Sequence, residues 1–321
     1  MSLTEEIKSK ALELGFDIVG ITNAEQIDSE QIEKFELWLE SGCAGQMAYM
    51  HNNFDKRTNP SQLLENAKSV IIVGLNYNPP EMVQYNHTPQ TGKIASYACY
   101  EDYHTFIKQR LRELADFIIE HRVTSHERRA TSKICVDSVP LAERALAVRA
   151  GLGFIGKNHM LINPELGCKI FLGEIITDLK LEYDESLLVP ETICSTCEKC
   201  IKVCPTGALR PDGLLDASKC INYLTIEYKG EIPSELAEKI ANRLFGCEEC
   251  IKVCPYQKTA PACKNKQFQF HPEKAQINLD EVLKMNEELF ETKFGDSVIK
   301  RTGLDVLKRN ARICSAKRTY S

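Results

Sequence analysis

The sequence lacks the features that mark membrane and exported proteins. None of its apolar runs reaches eighteen residues, so it contains no candidate transmembrane helix. Residues 1–6 are polar and acidic and lack the apolar core of a secretory or twin-arginine leader. We therefore expect a cytoplasmic protein with no membrane partner.

A nicotinamide-binding motif is also missing. The glycines Gly151, Gly153 and Gly156 have the Gly-x-Gly-x-x-Gly spacing, but they follow a predicted helix instead of a strand. The formal net charge of −5 argues against a generic binder of polyanions. The charge is uneven, however, because residues 298–321 contain seven Lys and Arg against one acid. This segment predicts either a polyanionic partner at that end or a helix with a solvated basic face.

Cysteine, by contrast, is abundant, with fourteen in 321 residues. Disulfides are rare in the cytosol, so this number favours metal binding or catalysis. The first run is Cys194-x2-Cys197-x2-Cys200-x3-Cys204-Pro205, the spacing of bacterial ferredoxins. In that arrangement three thiolates surround one 4Fe-4S cluster and the fourth binds the other cluster.

The second run is a variant of the first. It reads Cys247-x2-Cys250-x3-Cys254-Pro255, and Cys220 lies 27 residues upstream. The pentapeptide Ile-Lys-Val-Cys-Pro occurs in both runs, which indicates an internal pseudo-twofold. The same crossing-over predicts two ligand sets: Cys194, Cys197, Cys200 and Cys254 for cluster one, and Cys204, Cys220, Cys247 and Cys250 for cluster two.

Structural zinc sites are the alternative interpretation of these runs, but zinc sites favour paired cysteines or cysteine with histidine. Six further cysteines are predicted to be ordinary buried or partly buried thiols: Cys43, Cys99, Cys135, Cys168, Cys263 and Cys314. Two adjacent clusters form a one-electron wire, which needs a donor and an acceptor. The long segment before the clusters is therefore expected to hold the acceptor chemistry.

The remaining pattern predicts an α/β (α+β) N-terminal domain. Strands are predicted at 17–21, 69–75, 134–136, 160–162 and 170–176, and helices at the N-terminus, 103–121 and 139–150. The expected domains are residues 1–181, a ferredoxin-like module at 182–263 and a helical, basic segment at 264–321. Asp137 lies between a predicted strand and a predicted helix. It is either a helix cap or, since Ser138 could cap instead, a general acid if burial raises its pKa. The glycines at 151–156 would allow close approach of a bulky ligand or form a plain turn.

Taken together, the motifs resemble those of the epoxyqueuosine reductases, cobalamin-dependent iron–sulfur enzymes of tRNA modification. The resemblance covers nearly the whole chain. It rests on Gly45-Gln46-Met47, Arg57 before Pro60, Tyr97-Ala98, Asp102-Tyr103-His104, Val136-Asp137-Ser138, the segment 150–158, Leu172-Gly173-Glu174, the eight cluster cysteines and Arg309-Asn310-Ala311.

The resemblance implies that the chain reduces the epoxide of epoxyqueuosine at the tRNA wobble position to queuosine. It implies base-off cobalamin in the N-terminal domain, reduced through the two clusters by a low-potential donor of the flavodoxin or ferredoxin type. The family's catalytic acid falls on Asp137, and His104, Arg144, Lys157 and Asn158 match positions near the corrin or the substrate. No histidine occupies a recognisable cobalamin-ligand motif, so we expect no protein nitrogen on cobalt.

Two departures from the family are visible. Tyr100 stands where many members have glycine, and the sequence ends at Ser321 without the helical-repeat extension of longer members. If that extension helps to hold tRNA, we expect the basic segment to contribute more of the binding. Two other functions remain open: a dehalogenase-like cobalamin reductase of a small molecule, and a plain electron carrier that binds no corrinoid.

Overall fold

The computed structural model describes residues 2–80, 90–123, 130–185 and 193–316. Lys317 and Arg318 of the basic segment lie outside these residues. The described strands are β1 (Ile18–Asn23), β2 (Ser69–Asn76), β3 (Thr91–Ile94), β4 (Ser132–Cys135), β5 (Phe154–Ile155), β6 (Leu161–Ile162), β7 (Ile170–Thr177), β8 (Arg243–Phe245) and β9 (Gln276–Asn278). The helices of the first 150 residues are α1 (Leu3–Glu13), α2 (Ser29–Glu40), α3 (Phe54–Thr58), α4 (Tyr103–Val123) and α5 (Glu143–Arg149). The later helices are α6 (Ile193–Thr196), α7 (Lys199–Val203), α8 (Ile221–Ile226), α9 (Ser234–Ile240), α10 (Glu249–Lys252), α11 (Pro255–Lys258), α12 (Leu279–Lys284), α13 (Glu287–Phe294) and α14 (Leu304–Ala316).

The main sheet has the order β1-β2-β7-β4, and every neighbouring pair is antiparallel. Strands β2 and β7 are buried along their whole length, because helices cover both faces of the sheet. On one face α1 and α4 pack through Ile7, Ile107 and Leu111. On the other face α5 packs through Leu146 and Ala147. The predicted mixed fold is confirmed, with antiparallel pairing that hydrophobic periodicity alone could not distinguish from parallel pairing.

A second sheet joins distant parts of the chain. Its order is β8-β3-β9, so that β3 pairs in parallel with β8 and antiparallel with β9. One core contains Ile94 and Phe245 together with Leu307 of α14. The boundaries proposed at 181 and 263 remain predictions, and the strand pairing crosses both of them.

The C-terminal segment also returns to the first core. Phe268 stacks on Tyr100 with ring centroids 4.6 Å apart and an interplanar angle of 6°. Tyr100 is therefore a buried packing residue in this chain, and glycine has no side chain that could make this contact. Among the described residues, none of the helices combines the length and apolar character needed to cross a membrane.

Candidate active site

The four thiols predicted to bind cluster one line a single cavity. Cys194, Cys197, Cys200 and Cys254 surround it, and the walls are completed by Lys157, Asn158, Ile162, Lys199, Pro255 and Tyr256. Cys254 reaches this cavity from the second run, as the crossing-over requires. Helices α7 and α10 pack together and bring the two runs side by side.

The thiols predicted for cluster two also lie near one another. Burial, followed by the charges of Cys247, Cys220, Cys204 and Cys200, raises the pKa of the Cys250 thiol. Burial raises the pKa of Cys247 to about 11, with Cys220 among the neighbouring charges. Within the described residues no three His, Cys, Asp or Glu side chains converge as closely as a single metal ion requires.

Asp137 occupies an unusual backbone position just after β4. Its φ is +52°, in the left-handed region that residues other than glycine rarely adopt. Helix α5 begins only at Glu143, with Ala142 as its N-cap residue and no side-chain cap. The prediction that Asp137 or Ser138 caps a helix starting at 139 is therefore wrong. Because Asp137 is not used as a cap, its side chain is available for other contacts.

A chain of hydrogen bonds links Asp137 to the start of α4. The His104 Nε2 lies 3.0 Å from Asp137 Oδ2, and its Nδ1 lies 2.7 Å from Asp102 Oδ1. The His104 side chain is 6% exposed, whereas that of Asp137 is 54% exposed. His104 thus spans the two carboxylates from inside the protein, and Asp137 faces outward.

The pKa of Asp137 is lowered, and the first cause is its hydrogen bond to His104, against an opposing contribution from burial. Burial also opposes protonation of His104, but the hydrogen bonds to Asp102 and Asp137 raise its pKa overall. The condition that burial raises the pKa of Asp137 is therefore not met. The hydrogen bond between the two side chains therefore favours a charged His104 beside an ionised Asp137.

Asp137 opens onto a cavity of about 160 Å³. The cavity is lined by Tyr77, Tyr103, Asp137, Glu143, Arg144, Met160, Leu161, Cys168, Ile170, Phe171 and Leu172. The Tyr103 ring stacks on both His104 and Phe171, with centroids 3.9 and 4.0 Å apart. The described lining is thus mainly apolar and aromatic, with acidic groups and one arginine.

The structure separates the four residues predicted near the corrin or the substrate. Arg144 lines this cavity and donates to the His159 carbonyl at 2.9 Å. Lys157 and Asn158 instead lie at the thiols: the Lys157 backbone N–H is 3.4 Å from Cys194 Sγ. His104 lies behind Asp137, with both ring nitrogens engaged.

Cys168, which was predicted to be an ordinary thiol, connects the two cavities. It lines the cavity of Asp137, and Asn158 Nδ2 lies 3.7 Å from its Sγ. Its thiol hydrogen bonds to Cys254, and this bond is the first cause that lowers the pKa of Cys254 to about 6. Cys168 is therefore the side chain that separates the Asp137 cavity from the first cysteine set at this point.

The glycines at 151–156 are explained by packing within the chain. A Cβ on Gly153 would lie 2.3 Å from the Ile162 carbonyl oxygen, and one on Gly156 would lie 2.3 Å from Ile162 Cδ1. These glycines allow strand β5 to approach β6, so the predicted close approach to a ligand is not needed to account for them.

Two acids beneath Asp137 were not assigned a role by the sequence. Glu143 Oε1 accepts the Asp137 backbone N–H at 2.6 Å, and Glu174 is fully buried on β7. The sequence contained one signal for Glu174, which is a lone charged residue within the apolar run of β7. Glu143 had no comparable signal, since an acid in the first turn of a helix is common.

Comparison with known proteins gives a consistent result. A family model described as epoxyqueuosine reductase QueG, DUF1730, matches residues 57–138, and one described as a 4Fe-4S double cluster binding domain matches residues 193–257. The epoxyqueuosine reductase of Cyclobacterium marinum is 40% identical over 96% of this chain and 95% of its own length. That of Escherichia coli is 36% identical over 94% of this chain and 77% of its own length.

Solved structures agree with these relatives. A crystal structure of an epoxyqueuosine reductase with an epoxyqueuosine-modified tRNA-Tyr stem loop superposes with a TM-score of 0.88 and 33% identity, covering 98% of this chain and 81% of that chain. The Bacillus subtilis enzyme, solved with an aspartate-bearing catalytic loop swung out of the active site, superposes with a TM-score of 0.86 and 32% identity, covering 98% of this chain and 81% of that chain. A reductive dehalogenase at 17% identity and a TM-score of 0.50, covering 98% of this chain and 36% of its own, shares the fold alone.

Proposed function

Because the chain belongs to the epoxyqueuosine reductase family, we propose that it reduces the epoxide of epoxyqueuosine in tRNA to the cyclopentene of queuosine. The observation that carries the proposal is the position of Asp137. It opens onto a cavity whose wall includes Cys168, and Cys168 contacts the first cysteine set. The proposed proton donor and the first cysteine set are therefore separated only by this cavity and by Cys168.

The reaction needs two electrons and two protons. Both oxirane C–O bonds break, a C=C bond forms, and the oxygen leaves as water. A proton passes from His104 through Asp137 to the epoxide oxygen as the first C–O bond breaks, since this oxygen is a poor leaving group until it is protonated. A second proton, taken up from solvent, follows the same route to the departing hydroxyl. The 3.0 Å contact between His104 and Asp137 supports this route.

Two 4Fe-4S clusters carry the electrons. The domain match at residues 193–257 and the two thiol sets support this assignment. Cys250 lies within electrostatic reach of Cys200, so the two sets adjoin. We propose that a low-potential donor of the flavodoxin or ferredoxin type reduces cluster two, because cluster one is the set next to the cavity.

Cobalamin is the cofactor that the family implies, and the lining of the cavity beside Asp137 is chemically suited to part of it. Apolar and aromatic side chains, among them Tyr77, Phe171 and Leu172, would contact the corrin, and the guanidinium of Arg144 supplies a charge. The cavity takes only part of so large a group, and the remainder would occupy its open mouth. When bound, cobalamin supplies a strongly reducing cobalt centre. Both nitrogens of His104 are engaged by Asp102 and Asp137, so we propose that His104 would not serve as a ligand of the cofactor.

Exposed basic residues of the C-terminal segment are proposed to contact the tRNA. Arg301 is exposed, and its Nη1 lies 4.0 Å from Asp137 Oδ2. Arg312 is exposed on α14. Arg309, in contrast, donates to the carbonyls of Leu224, Tyr228 and Gly230, so it belongs to the folded interior of the segment.

Anaerobic reconstitution tests this function. The chain is loaded with iron, sulfide and cobalamin, reduced with a low-potential mediator and given an epoxyqueuosine anticodon stem-loop. We expect queuosine formation that depends on cobalamin. Bound corrinoid and eight irons without queuosine would indicate a reductase of a small molecule. Eight irons without corrinoid would leave an electron carrier.

A further inference from the structure

The buried carboxyl group of Glu174 is unfavourably placed for a negative charge. It lies at the middle of the main sheet, between Cys135 of β4 and Ile72 of β2, and its exposure is 0%. Within the described residues, no N–H group donates to either of its oxygens. An ionised carboxylate so placed would lose its hydration with no compensating donor. A proton on Glu174 removes that cost.

Glu143 is the group that can accept a hydrogen bond from this proton. Glu143 begins α5, which packs on the face of β7 that carries Glu174. Burial raises the pKa of Glu143 to about 7 and raises that of Glu174 well above its ordinary value. The neighbouring charges are those of Asp137, Arg144 and Arg57. The carboxyl groups of Glu143 and Glu174 are in hydrogen-bond contact, so a protonated Glu174 donates to Glu143, which remains an acceptor.

The other contact of Glu143 reaches the catalytic loop. Its Oε1 accepts the backbone N–H of Asp137 at 2.6 Å, a short bond to a charged acceptor. Asp137 has a φ of +52°, a conformation that persists only when surrounding contacts determine it. Glu143 meets the backbone of Asp137 and not its carboxyl group, so it does not pass a proton to the acid.

We propose that Glu143 and Glu174 share one proton and act as a positioning pair that holds Asp137 in its left-handed conformation, aimed into the cavity. Glu174 in its neutral form supports Glu143 without adding a second negative charge beneath the loop. His104 then sets the protonation of the Asp137 side chain, and the carboxyl pair sets the backbone. The proposal rests on the proposed function only in taking Asp137 as the acid.

The shared proton is tested by infrared spectroscopy on the reconstituted holoenzyme at neutral pH. We expect the C=O stretching band of a protonated carboxyl group, and we expect Glu174→Gln to remove it. Glu165→Gln, on the exposed turn after β6, is the matched control and should leave the band in place. A Glu174→Gln spectrum identical to that of the wild type would overturn the shared proton. This readout does not depend on the substrate.

The positioning role is tested by comparing isosteric and truncated variants. Glutamine at 174 keeps a neutral donor to Glu143, so Glu174→Gln should turn over at least tenfold faster than Glu174→Leu. Glu143→Ala should lower kcat by about a hundredfold, as expected for a misplaced catalytic group. Stem-loop affinity, iron content and bound corrinoid should stay at wild-type values.

Two results would overturn the positioning role. A wild-type kcat in Glu143→Ala overturns the positioning role, as does equal turnover in the two Glu174 variants. Iron content and thermal unfolding show whether Glu174→Leu folds. If it does not, Glu143→Gln replaces it as the comparison for Glu143→Ala. Glu143→Gln should retain more turnover than Glu143→Ala, because its amide oxygen still accepts from the Asp137 backbone N–H.

If the wild type forms no queuosine, the proposed function fails, while the infrared result still decides the shared proton.

Discussion

The Nε2 atom of His104 lies 3.0 Å from Oδ2 of Asp137, although the two residues are 33 positions apart in the chain. His104 lies near the N-terminus of α4, and Asp137 follows β4, so the packing of α4 against the main sheet is needed to bring them together. This contact lowers the pKa of the acid and raises that of the base. It links a buried proton to a carboxylate that faces outward.

Asp137→Ala should abolish turnover and leave the cofactors in place. A general acid contributes about a hundred- to ten-thousandfold in rate. This factor corresponds to roughly 3–5 kcal/mol in the activation barrier. Single-turnover queuosine formation measures the loss, and iron and corrinoid analysis provides the control. Normal turnover in this variant would mean that Asp137 is not the acid.

Turnover should fall as the pH rises through the raised pKa of His104, because the imidazolium then loses the proton that it passes to Asp137. The free energy of unfolding should change in the same direction. The bond between charged His104 and Asp137 stabilises the fold fully at pH values below the pKa of histidine in the unfolded chain. This stabilisation is lost as the pH rises through the raised pKa of His104 in the folded protein. His104→Gln should lower kcat and shift this limb, since the pKa of Asp137 returns toward that of an ordinary carboxyl group. A pH–rate profile of the variant that superposes on the wild type would contradict the route.

Cys254→Ala should remove cluster one, although Cys254 belongs to the second cysteine run. It lines the cavity formed by Cys194, Cys197 and Cys200. We expect about half the iron to be lost, with the signal of cluster two intact in electron paramagnetic resonance. Cys204→Ala is the reciprocal control and should remove cluster two. Loss of cluster two instead of cluster one in Cys254→Ala would show that Cys254 does not cross over to the first cysteine set.

Cys168→Ala should lower the midpoint potential of cluster one. Hydrogen bonds to cluster sulfurs favour the more negative, reduced state, and Cys168 donates to Cys254. A net hydrogen bond of about 1 kcal/mol corresponds to roughly 40 mV for one electron. A potentiometric titration measures the shift, and the potential of cluster two serves as the internal control. Two unshifted potentials would rule out this tuning.

Arg301→Ala and Arg309→Ala should have different effects. Loss of the exposed Arg301 should weaken stem-loop binding and reduce the salt dependence of log Kd by about one unit of slope. Loss of Arg309 removes donors to three backbone carbonyls and should lower Tm instead. Binding as a function of salt and thermal unfolding separate the two effects. An Arg301→Ala variant with the wild-type salt dependence would exclude a phosphate contact.

The parts of the site that could be predicted from sequence are those that depend on local spacing. The cysteine runs are one example, because each loop places its thiols by itself, and the buried strands β2 and β7 are another. The start of α5 was predicted four residues early, since a capping residue at 138 gave no indication of the left-handed turn at Asp137. Glu174, Glu143 and Asp137 come together through strand pairing and helix packing. No pattern within one segment encodes such contacts.

The second sheet has a consequence for how the chain is made. Strand β3 receives its partners from residues 243–245 and 276–278, long after it leaves the ribosome. The last cluster cysteine, Cys254, is synthesised before β9. Until β9 arrives, β3 has an open edge, which is a known site of aggregation. Iron delivery during synthesis would therefore meet a chain with all eight thiols present and its second sheet still unfinished.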